Sequence, residues 1–85
     1  MKIHSDHIKA LIESNLQNST ALVTGEDGRH FSATVISEAF AQKTRVEKQK
    51  LVYATLQQSI DEGAIHAISI KTFTPEEWQS QTWTN

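Results

Sequence analysis

Four histidines are the side chains of this sequence best suited to ligating a metal ion, and the sequence contains no cysteine. They are His4, His7, His30 and His66. Without cysteine the chain cannot form a disulfide, a thiolate nucleophile or a Cys-type zinc or iron–sulfur site of its own. Any metal held by this chain alone must therefore use histidine, aspartate or glutamate.

The histidines fall into two groups by position. His4 and His7 are three residues apart on a predicted helix, a spacing that chelates metal weakly, and with no further histidine nearby we assign them no role. His30 and His66 lie at the beginnings of two predicted strands. From the residues alone, His30 fits a solvated turn histidine, and His66 fits a ring packed partly into the core against a backbone carbonyl. Metal ligation is the alternative for both.

Positive charge is concentrated over residues 43–50. The charged residues of this segment are Lys43, Arg45, Glu47, Lys48 and Lys50. They sum to a local charge of +3 in a chain whose net charge is −2. Such a patch at a helix N-terminus can hold phosphates, but it can equally be a solvated face or the surface that meets an acidic protein partner. The Gly-x-x-Gly loop with which KH domains clamp nucleic acid is missing from the connector at 41–44.

The remaining polar and aromatic groups indicate no enzyme. Acidic pairs at 26–27, 61–62 and 76–77 lie at a turn and at helix ends, where capping and solubility explain them. No Ser-His-Asp arrangement at a recognisable elbow is present. Phe73 and Trp78 have the chemistry to stack a base, but a hydrophobic staple at a helix start explains both.

Length and composition bound the class of protein. A chain of 85 residues allows one domain, and 38% hydrophobic residues with 3 Gly and 1 Pro exclude a disordered linker. No window approaches the roughly 18 apolar residues of a membrane span, and the first residues contain no signal-peptide core. We therefore expect a single cytoplasmic domain over residues 1–85.

The first half of the chain predicts a helix and a β-hairpin. Ser5 or Asp6 is suited to cap a helix over about residues 6–17. Its expected core positions are Ile8, Leu11, Ile12 and Leu16. Residues 20–24 predict a strand, and the turn signal at 25–28 contains two glycines suited to positive φ. Residues 30–37 predict the second strand, with Phe31, Ala33 and Val35 on its packed face.

The second half predicts a helix, a strand and a shorter helix. After an irregular connector at 38–43, Thr44 and Glu47 indicate a capping box, and Gly63 ends the helix that follows. The expected packed face of this helix comprises Val46, the stem of Lys50, Tyr53, Leu56, Gln57 and Ile60, with Val52 adjoining. Residues 65–72 predict a core strand that groups His66, Ile68 and Ile70. Thr74, Pro75 and Glu77 begin the last helix, with Phe73 stapled to Trp78.

The resulting order, α-β-β-α-β-α, contains one strand-helix-strand crossover. A right-handed crossover makes the second and third strands parallel, whereas the hairpin makes the first two antiparallel. The sequence therefore predicts an α+β fold, a single small domain with a three-stranded mixed sheet and helices packed on it.

Five segments in this order resemble the BolA family. They are Asp27 to Phe31, Val35 to Phe40, Arg45 to Tyr53, Ile65 to Ile70 and Thr74 to Trp78. The resemblance covers about residues 20–78 and is strongest to the short bacterial IbaG/YrbA branch, with its Arg-Val-x-Lys-Gln helix start and Ile-His-Ala-x-Ser-Ile-Lys strand. Two positions depart from the family pattern: Gln42 stands where the family usually has Gly, and Lys48-Gln49-Lys50 stands where it has Arg-His-Arg. These departures weaken the interpretation of the basic patch as a nucleic-acid site.

The resemblance implies a fold similar to class II KH domains and a non-enzymatic adaptor that binds a monothiol glutaredoxin. In that pairing a bridging 2Fe-2S cluster is held by the glutaredoxin cysteine, a glutathione thiol and the histidine of the His-Ala motif, here His66. The second ligand is expected from the loop joining the first two strands. That loop contains no other His or Cys, so either His30 serves or the second ligand is missing or different. The isolated chain, monomeric or weakly dimeric, is expected to hold no cluster.

The implied roles are iron–sulfur trafficking or maturation, or iron-redox and stress regulation. The alternative is a DNA-binding transcriptional regulator that uses Lys43, Arg45, Lys48 and Lys50 on the KH-like surface. A third interpretation is an interaction module whose open sheet edge pairs with another chain.

Overall fold

The computed structural model describes residues 3–25 and 30–83. Its elements are α1 (Ser5–Asn15), β1 (Ser19–Thr24), β2 (His30–Ser37), a short 3-10 helix (Glu38–Phe40), α2 (Arg45–Asp61), β3 (Ala67–Phe73) and α3 (Pro75–Trp83). The predicted order of helices and strands is confirmed, and with it the α+β class. Within the described ranges, none of the helices combines the length and apolar composition needed to cross a membrane.

The three strands form one mixed sheet in the order β1-β2-β3. β1 pairs antiparallel with β2, with Ser19 opposite Ser37. β2 pairs parallel with β3, with His30 opposite Ala67. Both predicted pairings are confirmed, while the handedness of the crossover stays a prediction. Most of the predicted hairpin turn, residues 26–28, lies outside the described residues.

The core lies between one face of the sheet and the helices α1 and α2. From the sheet it takes Phe31, Ala33 and Val35, as predicted. From α1 it takes Ile8 and Ile12, with Leu16 just beyond the helix and Leu11 packed against the cluster. The two periodicities read from the sequence, two for β2 and about 3.6 for α1, therefore identify the buried faces of these elements correctly.

The start of α1 differs from the prediction. Its N-cap is His4, whose side chain makes no capping hydrogen bond. The carbonyl of His4 accepts the Ile8 N–H at 3.2 Å. Ser5 and Asp6 thus lie inside the first turn, and the expectation that one of them caps the helix is wrong. Because Ile3 joins the core directly before this point, the chain turns into the helix earlier than its cap-forming residues suggest.

Local signals place both ends of α2 correctly. The Glu47 N–H donates to Thr44 Oγ1 at 3.1 Å, and the Thr44 N–H donates to Glu47 Oε1 at 2.8 Å, which completes the predicted capping box. At the other end Gly63 adopts φ 77° and donates its N–H to the Ile60 carbonyl at 3.0 Å. A left-handed residue at this position is a common helix stop, and glycine adopts it without a Cβ penalty.

The predicted packed face of α2 is confirmed at Val52, Leu56 and Ile60 and is wrong at its other positions. Val46 is 62% exposed and Tyr53 37% exposed. The buried residues of the helix are Val52, Leu56 and Ser59, and Leu51 and Ile60 pack against the core. Lys50 and Gln57, also assigned to the packed face, are exposed. The apolar residues of α2 surround much of its circumference, so the side that docks is decided by the contact with α1 and the sheet and not by spacing.

β3 begins two residues later than predicted and is an edge strand. Ile68 and Ile70 are half-buried on its core side, as the alternation predicts, but every residue of the strand keeps some exposure. The expectation of a core strand is therefore wrong, because in the described sheet β3 has a neighbour on one side only. Ile65, which precedes the strand, is buried in the core.

α3 begins as predicted. The Thr74 N–H donates to Glu77 Oε1 at 2.8 Å, and the Glu77 N–H donates to Thr74 Oγ1 at 3.1 Å. The rings of Phe73 and Trp78 have centroids 5.3 Å apart with planes tilted by 59°. This contact is the predicted hydrophobic staple, and it accounts for both aromatic residues through packing.

The connector between β2 and α2 contains an unusual backbone conformation. Its first residues form the short 3-10 helix, with the buried Ser37 hydroxyl accepting the Ala39 N–H at 3.0 Å. Gln42 then adopts φ 61°. This is the left-handed region that favours glycine, at the position where the resembled pattern has glycine.

Candidate metal-ligand and nucleic-acid sites

His30 and His66 lie at the same end of the sheet. His30 is the first residue of β2, and its partner across the parallel ladder is Ala67, the residue after His66. Adjacent strands are about 4.8 Å apart, so the two histidine backbones are close neighbours. Both residues are exposed. The structure thus brings together the two histidines that the sequence singled out.

The environment of His66 contradicts its structural interpretation. A ring packed partly into the core would be shielded from solvent, whereas His66 is exposed at a bend before β3. The backbone leading to it is nevertheless well anchored. The buried residue Ile65 and its neighbour Ala64 both donate their N–H groups to the Ser59 carbonyl of α2, at 3.3 and 2.9 Å. His66 is therefore an accessible side chain on a fixed support.

A depression of about 540 Å³ adjoins His30 at this end of the sheet. Three hydroxyl residues, Thr24, Ser32 and Ser69, line it and stand opposite one another across the three strands. Ala67 also lines it and links it to His66 along the chain. No motif in the sequence marks these hydroxyls as a site, although strand alternation predicts that Ser32 lies on the solvent-facing side of β2.

The donor set fits a shared metal site and not a self-contained one. Among the described residues, no group of three or more His, Asp or Glu side chains converges to hold a metal ion. A 2Fe-2S cluster is bound by four ligands, usually cysteine thiolates, and two histidines on one iron can replace two of them. His30 and His66 are suited to half of such a set. The other half would have to come from another molecule.

His4 and His7 belong to the start of α1 and lie outside the sheet. His7 is exposed on α1 and lines a groove between α1 and α2. His4 is exposed at the N-cap of α1. The absence of a role for this pair stays a prediction.

The four basic residues lie together at the start of α2, but carboxylates accompany them. Lys43, Arg45 and Lys50 are exposed, whereas Lys48 is half-buried with its Nζ 3.7 Å from Glu77 Oε1. The sequence estimate of +3 did not include Glu77, which arrives from α3. The basic surface is therefore weaker than the local sequence suggests.

Both neighbouring carboxylates are held in their ionised form. The Thr44 N–H, together with the Thr44 hydroxyl and the charges of Lys43 and Lys50, lowers the pKa of Glu47 below its ordinary value. The Thr74 N–H, together with the charge of Lys48, lowers the pKa of Glu77. Two negative charges are consequently fixed within the basic cluster at neutral pH.

Taken together, the fold and site define a small α+β protein with two exposed histidines at one end of its sheet and no cysteine. A family model described as BolA-like protein matches residues 2–77. The chain belongs to the BolA family.

Individual relatives agree with this assignment. The chain is 44% identical over 71 residues to the acid stress protein IbaG of Escherichia coli (strain K12), covering 79% of this chain and 83% of IbaG. It is 36% identical over 74 residues to the DNA-binding transcriptional regulator BolA of Vibrio cholerae, covering 87% of this chain and 65% of that protein. A BolA homologue from Coxiella burnetii matches with TM-score 0.82 and 36% identity, covering 91% of this chain and 97% of that structure. The predicted resemblance is confirmed.

Proposed function

We propose that this protein is a cytoplasmic adaptor that binds a monothiol glutaredoxin and shares a bridging 2Fe-2S cluster with it. The observation that carries the proposal is the pair of exposed histidines at one end of the sheet, in a chain without cysteine. The role we infer is iron–sulfur trafficking or maturation, or regulation in response to iron, redox state and stress.

The ligand count supports a shared site. In the pairing implied by the BolA resemblance, the glutaredoxin cysteine and a glutathione thiol supply two ligands, which leaves two positions for this chain. His66 and His30 would fill them with neutral imidazole nitrogens. A cluster bound in this way has a higher reduction potential than an all-thiolate one, because imidazole brings no negative charge. Both residues are exposed, so a partner protein can reach this end of the sheet.

Reconstitution with the host's monothiol glutaredoxin, glutathione and iron tests the proposal by visible circular dichroism. The isolated chain should show no iron–sulfur absorption, and the mixture should show a spectrum distinct from that of glutaredoxin alone. The His66→Ala variant should lose that spectrum. His4→Ala is the matched control, since His4 is also exposed but lies on α1. An unchanged spectrum and complex stability in His66→Ala would remove His66 from the ligand set.

Nucleic-acid binding is the second candidate, because a relative at 36% identity is named a DNA-binding transcriptional regulator. The surface would be the cluster of Lys43, Arg45, Lys48 and Lys50. Affinity for DNA should then fall steeply with salt, and the slope should shrink by roughly one unit for each contacting residue removed, as in Arg45→Gln. Micromolar DNA without any shift at low salt would dismiss this function.

A further inference from the structure

The two edge strands of the sheet, β1 and β3, differ in what binds their outward backbone groups. At β1, the Ala21 N–H donates to Glu13 Oε2 at 2.9 Å, and the Ala21 carbonyl accepts from Lys9 Nζ at 2.9 Å. Lys9 and Glu13 also pair with each other at 2.6 Å. These two side chains satisfy the backbone groups that a neighbouring strand would otherwise bind. The edge of β1 is therefore covered at Ala21 by the protein's own ion pair.

The edge of β3 lies beside a groove. The Ile70 carbonyl accepts from Gln49 Nε2 at 3.0 Å, which shows that this carbonyl points toward α2. By the two-residue period of a strand, the backbone groups of Ile68 and Thr72 point to the same side. A groove of about 310 Å³ follows this edge between α2 and residues 70–73. The free edge of a strand carries alternating backbone donors and acceptors with which a further strand can pair.

The walls of this groove are basic. Arg45 and Lys48 line it from α2, and Lys71 lines it from β3. Arg45 and Lys71 are exposed, and Lys48 already lies 3.7 Å from the Glu77 carboxylate. That ion pair demonstrates that a carboxylate can approach this wall. The charge of the groove is thus complementary to an acidic ligand.

We propose that the edge of β3 binds an extended acidic segment of a partner protein by strand addition. The backbone of the segment pairs with the outward groups between Ile68 and Thr72, and its carboxylates meet Arg45, Lys48 and Lys71. Addition of a strand to an open edge obtains affinity from the backbone and selectivity from alternate side chains. A nucleic acid could contact the three cations. Its phosphodiester backbone has no N–H donors, however, and so could not pair with the outward carbonyls of β3.

This surface begins at Ile68, two residues after His66, and extends along β3 away from the histidines. Its centre at Ile70 follows His66 by four residues, about 13 Å at roughly 3.3 Å per residue in a strand. Strand addition needs neither iron nor glutaredoxin, so it stands whether or not the cluster is shared. Gln49 competes with the added strand, because its side-chain amide donates to the Ile70 carbonyl and must leave before a strand can bind there.

The test uses a fluorescein-labelled peptide of alternating glutamate and valine and the full chain without iron. Fluorescence anisotropy should show binding, and NMR should place the largest amide shifts at residues 68–73. Arg45→Gln and Lys71→Gln should each weaken binding about two- to fivefold. Lys50→Gln is the matched control, because Lys50 is exposed on the same helix but does not line the groove. Gln49→Ala should tighten binding a few-fold by freeing the carbonyl.

Three outcomes would overturn the proposal. One is amide shifts confined to residues outside β3 and the start of α2. Another is equal weakening by Lys50→Gln, which would indicate attraction to charge alone. The third is a single-stranded DNA oligonucleotide that shifts the β3 amides when the acidic peptide does not, which would assign the groove to nucleic acid. A lysine-valine peptide should not bind.

Discussion

Gly25 lies where β1 ends, against the buried ring of Phe31. A Cβ at this position would lie 2.6 Å from Cε1 of Phe31 and nearer still to Cδ1. The backbone of Gly25 lies outside the left-handed region, so the suitability of glycine for positive φ is not used at this position. Glycine is therefore required at position 25 because a side chain would collide with the Phe31 ring, directly next to His30.

Replacing Gly25 with alanine should destabilise the protein by about 1–3 kcal/mol, the usual cost of inserting a methyl group into a packed site. Urea unfolding of Gly25→Ala measures the loss. In a Phe31→Leu background the penalty should shrink, because a smaller side chain makes room for the methyl group. Equal penalties in the two backgrounds would show that the ring is not the cause.

At the scale of the elements, capping residues predicted the ends of α2 and the start of α3 more reliably than apolar spacing predicted the packed face of α2. Thr44 with Glu47 and Thr74 with Glu77 act within one helical turn, so the sequence contains everything that the capping boxes need. The docking face of α2 is different. It depends on which side meets α1 and the sheet, and residues far along the chain decide that contact.

The corrected face of α2 can be tested with two matched substitutions. Val52→Ala should cost about 1–3 kcal/mol, since Val52 is fully buried. Val46→Ala removes the same atoms from a residue that is 62% exposed and should change the free energy of unfolding by less than about 0.5 kcal/mol. Chemical denaturation of both variants compares them directly. A larger loss for Val46→Ala would restore the face expected from spacing.

At the scale of the whole molecule, a few polar contacts join elements that are distant in sequence. Lys9 and Glu13 tie α1 to β1, and Lys48 and Glu77 tie α2 to α3. Neither link has a sequence signature, because each depends on how two elements meet in space. For the same reason the sequence marked His66 and His30 separately, while their placement at one end of the sheet required the parallel register.

Glu13 should make stability depend on pH. The hydrogen bond from Lys9, and after it that from the Ala21 N–H, lowers the pKa of Glu13 below its ordinary value of 4.5. A carboxylate with a lowered folded-state pKa stabilises the protein above its unfolded pKa, and this contribution is lost as pH falls through the folded value. Glu13→Gln should therefore be less stable than the parent at neutral pH, by about 1 kcal/mol.

Thermal unfolding at a series of pH values checks this prediction. The difference in stability between the parent and Glu13→Gln should narrow as the pH falls below 4.5, the ordinary pKa of a glutamate side chain. Glu76→Gln makes the same chemical change at an exposed residue of α3 and serves as the control. A gap that stays constant with pH would show that packing and not ionisation of Glu13 matters.

The ion pair over Ala21 also bears on stoichiometry. Assemblies formed by strand pairing grow into fibres when each copy has two free sheet edges and one edge pairs with the other edge of the next copy. Here the edge of β1 is occupied at its centre by Lys9 and Glu13. A molecule with one receptive edge closes after a single addition, so pairing through β3 ends in a one-to-one complex or a two-fold dimer and does not propagate.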